Sequence, residues 1–282
     1  MPSLTQYHTI NNMIPKTIHY CWLSKDPIPT DLCECIKSWK QHMPDWQIKL
    51  WNTSNFNVDS VPFVRDAVKA RKWAFACDYI RVYALYNEGG VYLDSDVLVR
   101  KNLDFTLGNR AFSAIESYPD LVRKIKEENL VDDKGNKRDP DLKIHGIQIQ
   151  AAIMGGEKHH PFFKDCMDYY ESRDFVVGED GIPSEENISP IVFAGIAEKY
   201  GFKYLDQEQD LQEGIKLYSA DIFCPQPYLM KPQAAAVHCC NASWRRTLSR
   251  KDRIIFALKN SVKAILNRLG LRTEKEIDRI RG

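Results

Sequence analysis

No uninterrupted apolar run in the 282 residues approaches the roughly 20 needed to cross a bilayer as a helix. The polar start, Met1 to Asn12, lacks the charged-then-apolar order of a secretory signal, so the expected setting is the cytoplasm. Cysteine is present eight times, but paired spacing is missing. There is no Cys-x-x-Cys, and neither Cys33-x-Cys35 nor Cys239-Cys240 has zinc-finger spacing. Cys21, Cys77, Cys166 and Cys224 lie among apolar neighbours, so reduced, partly buried thiols are expected rather than a disulfide framework. Internal repeats and low-complexity tracts are absent too, which excludes a solenoid or a compositionally biased chain.

What is present suits a globular enzyme-sized body: 44% hydrophobic and 27% charged residues, enough for one large domain or two small ones. The net charge of +1 hides an asymmetry. Residues 245–282 hold twelve Lys/Arg against four Asp/Glu, a net of +8, which leaves residues 1–244 at −7. In that tail Ile254, Ile255, Leu258, Val262, Ile265, Leu266 and Leu269 recur at helical spacing, with Arg253, Lys259, Lys263 and Arg268 on other faces. The pattern is a basic amphipathic helix, suited to an anionic membrane surface or to docking on the body with its basic face solvated. Nothing in the pattern calls for nucleic acid.

Along the chain, residues 14–23 and 46–51 read as strands, and 31–41 and 62–72 as helices, with Pro62 at an allowed first-turn position. Residues 74–88 read as an amphipathic helix closed by Gly89. A strand over 91–99 follows, then one near 111–115. The charged stretch 118–143 reads as a mobile insertion. Residues 147–154 read as a strand, 162–171 and 189–200 as helices, and 215–218 and 235–239 as short strands. Strands alternating with helices predict an α/β fold with a mixed central sheet.

The densest chemistry lies in Gly89-Gly90-Val91-Tyr92-Leu93-Asp94-Ser95-Asp96. In an extended chain residues i and i+2 share a side, so Asp94 and Asp96 are expected to converge on one partner. Two carboxylates that close repel unless a cation neutralises them, and hard oxygen ligands select Mg²⁺ or Mn²⁺. The bland alternative is a strand running into an acidic turn; the double glycine and the aromatic before it favour the functional reading. Asp78 and Arg81, three apart on the preceding helix, form either a surface ion pair or a pair at the mouth of a cleft. Trp22 ends the first strand, where it could stack on a nucleobase or fill the core. His238, finishing the last strand, is a candidate third metal ligand or phosphate donor, the alternative being a structural histidine. His159-His160 reads as the lead-in to a helix rather than a metal pair.

Together Ile14-Pro15-Lys16-Thr17-Ile18-His19-Tyr20-Cys21-Trp22, Ser38-Trp39, Pro44-Asp45-Trp46, Ala76-Cys77-Asp78-Tyr79-Ile80-Arg81 and the Gly89–Asp96 segment resemble glycosyltransferase family 32, over about residues 13–244. That group of Asp-x-Asp sugar transferases includes bacterial capsular-polysaccharide and yeast initiating mannosyltransferase types, with the clostridial glucosylating toxins as structural relatives. The resemblance implies a GT-A fold, with a Rossmann-like nucleotide-binding sheet, and a retaining transfer from a nucleotide-sugar with Mn²⁺ or Mg²⁺. It implies that Trp22 stacks on the base, that Asp78 and Arg81 hold the donor sugar, and that Tyr92 packs near the ribose or phosphate. Asp94, Ser95 and Asp96 would serve the ribose and the metal, with Asp96 the direct ligand. His238 and Ser243-Trp244 match the family's closing His…Gly-Ser-Trp segment, here with Ala242 for the glycine. Asn187-Ile188-Ser189-Pro190 matches a Thr-Gly-Pro segment more loosely.

The implied donor is UDP-galactose or UDP-glucose, then GDP-mannose, and the implied acceptor a saccharide or lipid-linked saccharide of a surface polysaccharide. Two other classes compete. A phosphatase of the haloacid-dehalogenase type also places Asp-x-Asp after an apolar strand, but it needs Thr or Val where Leu98 stands and a loop-to-helix exit where an extended chain is expected. A non-catalytic carbohydrate-binding module would not need clustered acids beside a tryptophan.

Overall fold

A computed structural model describes residues 14–178 and 188–239. Ser243, Trp244 and the basic helix expected over 245–282 lie outside the described residues. Strand β1 (Thr17–Cys21) is followed by α1 (Thr30–His42), which has Asp31 in its first turn and buries Cys35, Ser38 and Trp39. Strand β2 (Gln47–Trp51) returns parallel to β1. Helix α2 (Pro62–Lys69) starts on a proline, whose missing N–H costs nothing in a first turn. Helix α3 (Trp73–Glu88) is buried on nearly every side, through Phe75, Tyr79, Ile80, Val82 and Leu85 among others, so its expected amphipathicity is slight.

Strands β3 (Gly90–Leu93), β4 (Val97–Val99) and β5 (Ala111–Ser117) follow, then α4 (Pro119–Glu127), β6 (Ile147–Ile149), β7 (Ile153–Gly156) and α5 (Pro161–Glu171). Helix α6 (Ser189–Ala197) leads into β8 (Gln209–Asp210), β9 (Ile215–Tyr218), β10 (Phe223–Cys224) and β11 (Ala236–His238). The main sheet runs β2-β1-β3-β7-β5-β9-β8, with β6 beside β5. It is parallel across β2, β1 and β3, and antiparallel where β7 sits between β3 and β5. Helices α2, α3, α5 and α6 pack one core against it. A second core on the other face holds Trp39 of α1 and the small sheet β10-β11-β4. This is the layered α/β architecture with a mixed central sheet that the element pattern predicts.

The strand expected over 91–99 is broken: β3 stays in the main sheet, while β4 leaves it to pair antiparallel with β11. Between them Asp94-Ser95-Asp96 forms a turn, with Val97 N donating to Asp94 O at 2.9 Å. Helix α1 fixes that departure, because Trp39 Nε1 donates to Val97 O at 2.7 Å and Ser38 Oγ accepts from Val99 N at 3.0 Å.

Gly89-Gly90 sets the entrance to β3. Gly89 (φ +68°) ends α3, and Gly90 (φ +111°) runs so close to β1 that a Cβ there would stand 2.6 Å from Thr17 O. His19, fully buried, donates from Nε2 to Gly89 O at 2.8 Å and accepts from Trp51 Nε1 at Nδ1, 3.1 Å away. Both bonds together require the neutral ring, and burial accordingly lowers its pKa. His19 is thus a brace for the backbone that delivers β3. His160 caps α5 in the same structural spirit, its Nδ1 accepting from Phe162 N at 3.2 Å.

The charged stretch 118–143 contains α4, with Ile125 buried, and a turn whose Gly135 O accepts from Tyr204 N at 2.9 Å. Lys137 pairs with Glu198 at 2.9 Å, so this insertion lies against the body.

Candidate active site

Three elements meet at the carboxyl edge of β3, where ligand sites of α/β sheets commonly lie. The Asp94–Asp96 turn is the first. The second is β11: register pairs His238 with Val97 and brings the imidazole Nε2 to 3.4 Å from Asp96 Oδ1. Cys239 N donates to Asp96 O at 2.9 Å, so backbone and side chain both tie the turn to β11. The third is α3, which presents Asp78 and Arg81.

Asp78 and Arg81 are not a surface pair. They are 6% and 4% exposed, and Arg81 Nη2 lies 2.9 Å from Asp78 Oδ1 and 3.5 Å from Asp94 Oδ1. One guanidinium therefore serves two carboxylates. Its Nη1 donates to Ala151 O at 2.6 Å, and its carbon stands 4.9 Å from the Tyr92 ring centroid. Burial opposes the Arg81 charge, but Asp94, Tyr92 and Asp78 outweigh it and hold the guanidinium well above its usual range. Asp78 fares differently: burial pushes its carboxyl up to about 6, although Arg81 and a 2.8 Å hydrogen bond donated by Ser189 Oγ pull it down. Sharing the cation with Asp94 explains why the pair does not fully offset desolvation.

Tyr92 is 1% exposed, and its hydroxyl donates to Asp94 Oδ1 at 2.9 Å. The structure thus puts Tyr92 beneath Asp94, as a support. Ser95 lies half-buried at the turn. Trp22 follows β1, next to β3 in register, and stands half-exposed at a surface recess formed with Leu23–Ile28, Leu50 and Asn52–Ser54. Its Nε1 donates to Asp26 O at 2.8 Å, which fixes the ring at the rim rather than in the core.

Asp94, Asp96 and His238 each offer a ligand atom within 4.8 Å of the other two. Two carboxylate oxygens and an imidazole nitrogen, all partly solvated, fit a hard or borderline divalent cation. Alternation along a strand is not what brings the two acids together; the turn and the β4–β11 pairing do that.

Sequence reasoning missed Glu116, Gln148 and Gln150. Glu116 sits 7% exposed near the end of β5, accepting from Tyr118 Oη at 2.8 Å and Gln148 Nε2 at 2.9 Å. Burial raises its pKa against the pull of His238, and Asp94 raises it further, which puts this carboxyl within electrostatic reach of the site. The available signal was a lone charge directly after the mostly apolar run Ala111–Ile115.

Residues 29–113 match the family described as the glycosyltransferase sugar-binding region containing the DXD motif. Inositol phosphoceramide mannosyltransferase 2 of Schizosaccharomyces pombe is 28% identical over 156 residues, 54% of this chain and 37% of that protein. Inositol phosphoceramide mannosyltransferase 3 of the same yeast is 26% identical over 160 residues, 55% and 37%. The chain therefore spans little more than a third of the length of these relatives. Among solved structures, the galactosyltransferase LgtC with donor and acceptor sugar analogues has a TM-score of 0.44 at 13% identity, over 88% of this chain and 95% of that one. The PaToxG glycosyltransferase gives 0.43 at 14%, over 66% and 70%. The Asp94-Ser95-Asp96 turn lies inside the matched region, so residues 29–113 are similar to the DXD-containing sugar-binding region of glycosyltransferases.

Proposed function

We propose that this chain is a retaining, metal-dependent hexosyltransferase that moves a sugar from a nucleotide-sugar to a saccharide or lipid-linked acceptor. The observation that carries the reading is the convergence of Asp94, Asp96 and His238 beside the buried Asp78–Arg81 pair, the four residues other than His238 lying inside the matched region. Asp94, Asp96 and His238 would hold Mn²⁺ or Mg²⁺, which supplies Lewis-acid stabilisation of charge developing on a departing diphosphate.

The chain's own residues do the rest. Arg81 holds Asp94 in place and, with Asp78, presents donors and acceptors to the hydroxyls of the donor sugar. Asp78, sealed against Arg81 and Ser189, is built to accept hydrogen bonds rather than to attack carbon. A front-face substitution follows: the acceptor oxygen bonds to the anomeric carbon as the carbon–phosphate oxygen bond breaks, and the departing phosphate takes the acceptor's proton. This differs from the two-carboxylate scheme of glycoside hydrolysis. The dehalogenase alternative is not favoured, because the motif exits into a turn and a β-pair with the His238 strand rather than into a helix. A binding module has no use for a buried arginine shared by two acids.

UDP-galactose, UDP-glucose and GDP-mannose are the donors to test. The mannosyltransferase relatives, whose names specify inositol phosphoceramide, support GDP-mannose and a lipid acceptor. Thermal shift against these nucleotide-sugars with Mn²⁺ decides, since a true donor stabilises by RT ln(1 + [L]/Kd). One of them raises Tm and is slowly hydrolysed; no response to any of the three, with or without Mn²⁺, would overturn the reading. In the same assay Trp22→Ala should weaken nucleotide affinity about 5- to 150-fold, the worth of ~1–3 kcal/mol of base stacking. An unchanged affinity would return Trp22 to a packing role.

A cytoplasmic, peripheral position at the inner membrane face completes the proposal, resting on the basic pattern of 245–282. No helix among the described residues is long and apolar enough to cross a membrane. Full-length protein should co-sediment with anionic liposomes and a 1–244 truncation should not; equal pelleting of both removes the membrane role.

A further inference from the structure

Among the described residues, three buried side-chain polar atoms have no hydrogen-bond partner: both amide atoms of Gln150 and the Tyr170 hydroxyl. Buried polar groups are ordinarily paired, because an orphan never recovers its desolvation. Gln150 is fully buried with neither end of its amide satisfied.

Its surroundings point to a use. Gln150 N donates to Ala114 O at 2.9 Å, extending the β5–β6 pairing by one residue. Alternation then puts Gln150 on the same face as Gln148 and Glu116, which are bonded to each other. On that face Ala114 packs in one cluster with Val97 of β4 and Ala236 of β11, the strands that present Asp96 and His238. The next two carbonyls along the chain are already engaged with the site: Ala151 O accepts from Arg81, and Ala152 O accepts from Asp94 N at 2.9 Å. The other orphan, the Tyr170 hydroxyl on α5, belongs to the separate core that packs α3 and α5 together.

We propose that the Gln150 amide is a sugar-reading group, which completes its hydrogen bonds on the vicinal hydroxyls of a pyranose held beside Arg81 and Asp94. An amide presents one acceptor and one double donor, the complement of a diol in which each hydroxyl gives and takes one bond. A polar group left unpaired unless the right hydroxyls arrive is also a strong filter against analogues that lack them. The inference rests on the transferase reading and deepens it. The amide is covered in this structure, so neighbouring side chains must shift as the sugar enters. Donor and acceptor both carry such diols, and kinetics can separate them.

Gln150→Met keeps the volume and removes the amide. The expected variant has a Tm equal to or above wild type, because an unpaired buried amide is gone. It also keeps wild-type affinity for UDP or GDP with Mn²⁺, and shows at least a tenfold higher KM for one sugar substrate. A rise confined to the nucleotide-sugar, measured by donor hydrolysis, assigns the donor; a rise confined to the saccharide acceptor assigns the acceptor. Unchanged KM for both sugars overturns the proposal, as does a lowered Tm with UDP or GDP binding weakened to the same degree. If no nucleotide-sugar stabilises the wild type beyond its nucleoside diphosphate, the transferase reading fails first and this inference with it.

Discussion

Asp96→Ala should reduce metal-dependent transfer by about 10³-fold or more while leaving the fold intact. Asp96 lies where the turn meets β11, its carboxylate 3.4 Å from His238 and its backbone held independently by Cys239 N. Losing the carboxylate leaves the turn tied, so the substitution removes a ligand rather than an element. Stabilisation of charge on a leaving diphosphate is worth several kcal/mol, and each 1.36 kcal/mol is tenfold in rate. A second readout separates metal loss from misfolding. Relief of repulsion between neighbouring carboxylates should keep the metal-free Tm at or above wild type, while the rise in Tm on adding Mn²⁺ disappears. Full metal-dependent activity in Asp96→Ala would show that the cation, if used, is held elsewhere.

The strands, helices and their order were legible from apolar runs and their punctuation: β1 is an apolar stretch buried on both faces, Ile18 in one core and Cys21 in the other, and α3 is closed by Gly89 as its sequence predicts. The acids were legible as a pair, but not the way they meet. Periodicity assumes the chain continues, and here β4 changes sheets because Trp39 and Ser38 capture its backbone from α1. Those capturing atoms lie some 60 residues away in sequence, at |i−j| of 58 and 61, where no local rule reaches. Tyr92 acts locally, its hydroxyl bonding the Asp94 carboxylate two residues on, a contact that the linear motif does not display.

Several residues that carry the family resemblance prove to be braces. His19 ties β1 to the α3–β3 junction, and Trp46 Nε1 donates to Asp104 Oδ1 at 2.9 Å. A motif is therefore a mixture of reacting groups and the groups that aim them. The polar wall of Glu116 and Gln150 escaped notice for the opposite reason: it belongs to no recognised motif, and only burial exposes it, Glu116 bonded to Tyr118 and Gln148 and Gln150 without a side-chain partner.

Asp78→Asn tests the other half of the site, and stability and activity should move in opposite directions. The Asp78 carboxyl is raised by burial from 3.8 to about 6, so the folded chain binds its proton more tightly than the unfolded chain does. Between those values stability falls as pH rises, and above pH 6 to 7 the ionised group costs the fold about 3 kcal/mol. Asparagine keeps a side-chain oxygen for Ser189 and removes the charge, and Arg81 retains Asp94 as a counter-ion at 3.5 Å. At pH 8 the variant should be about 1–3 kcal/mol more stable, with the gain shrinking towards pH 4, read from urea midpoints across that range. Transfer should nevertheless fall at least about 100-fold, because a neutral amide no longer balances Arg81 or accepts strongly from a sugar hydroxyl. The wild type should lose activity as pH drops through about 6, following protonation of Asp78, and Asp78→Asn should show no such acid limb. A variant less stable at pH 8 than at pH 4 relative to wild type would mean that the Arg81 pair, not desolvation, governs this carboxylate.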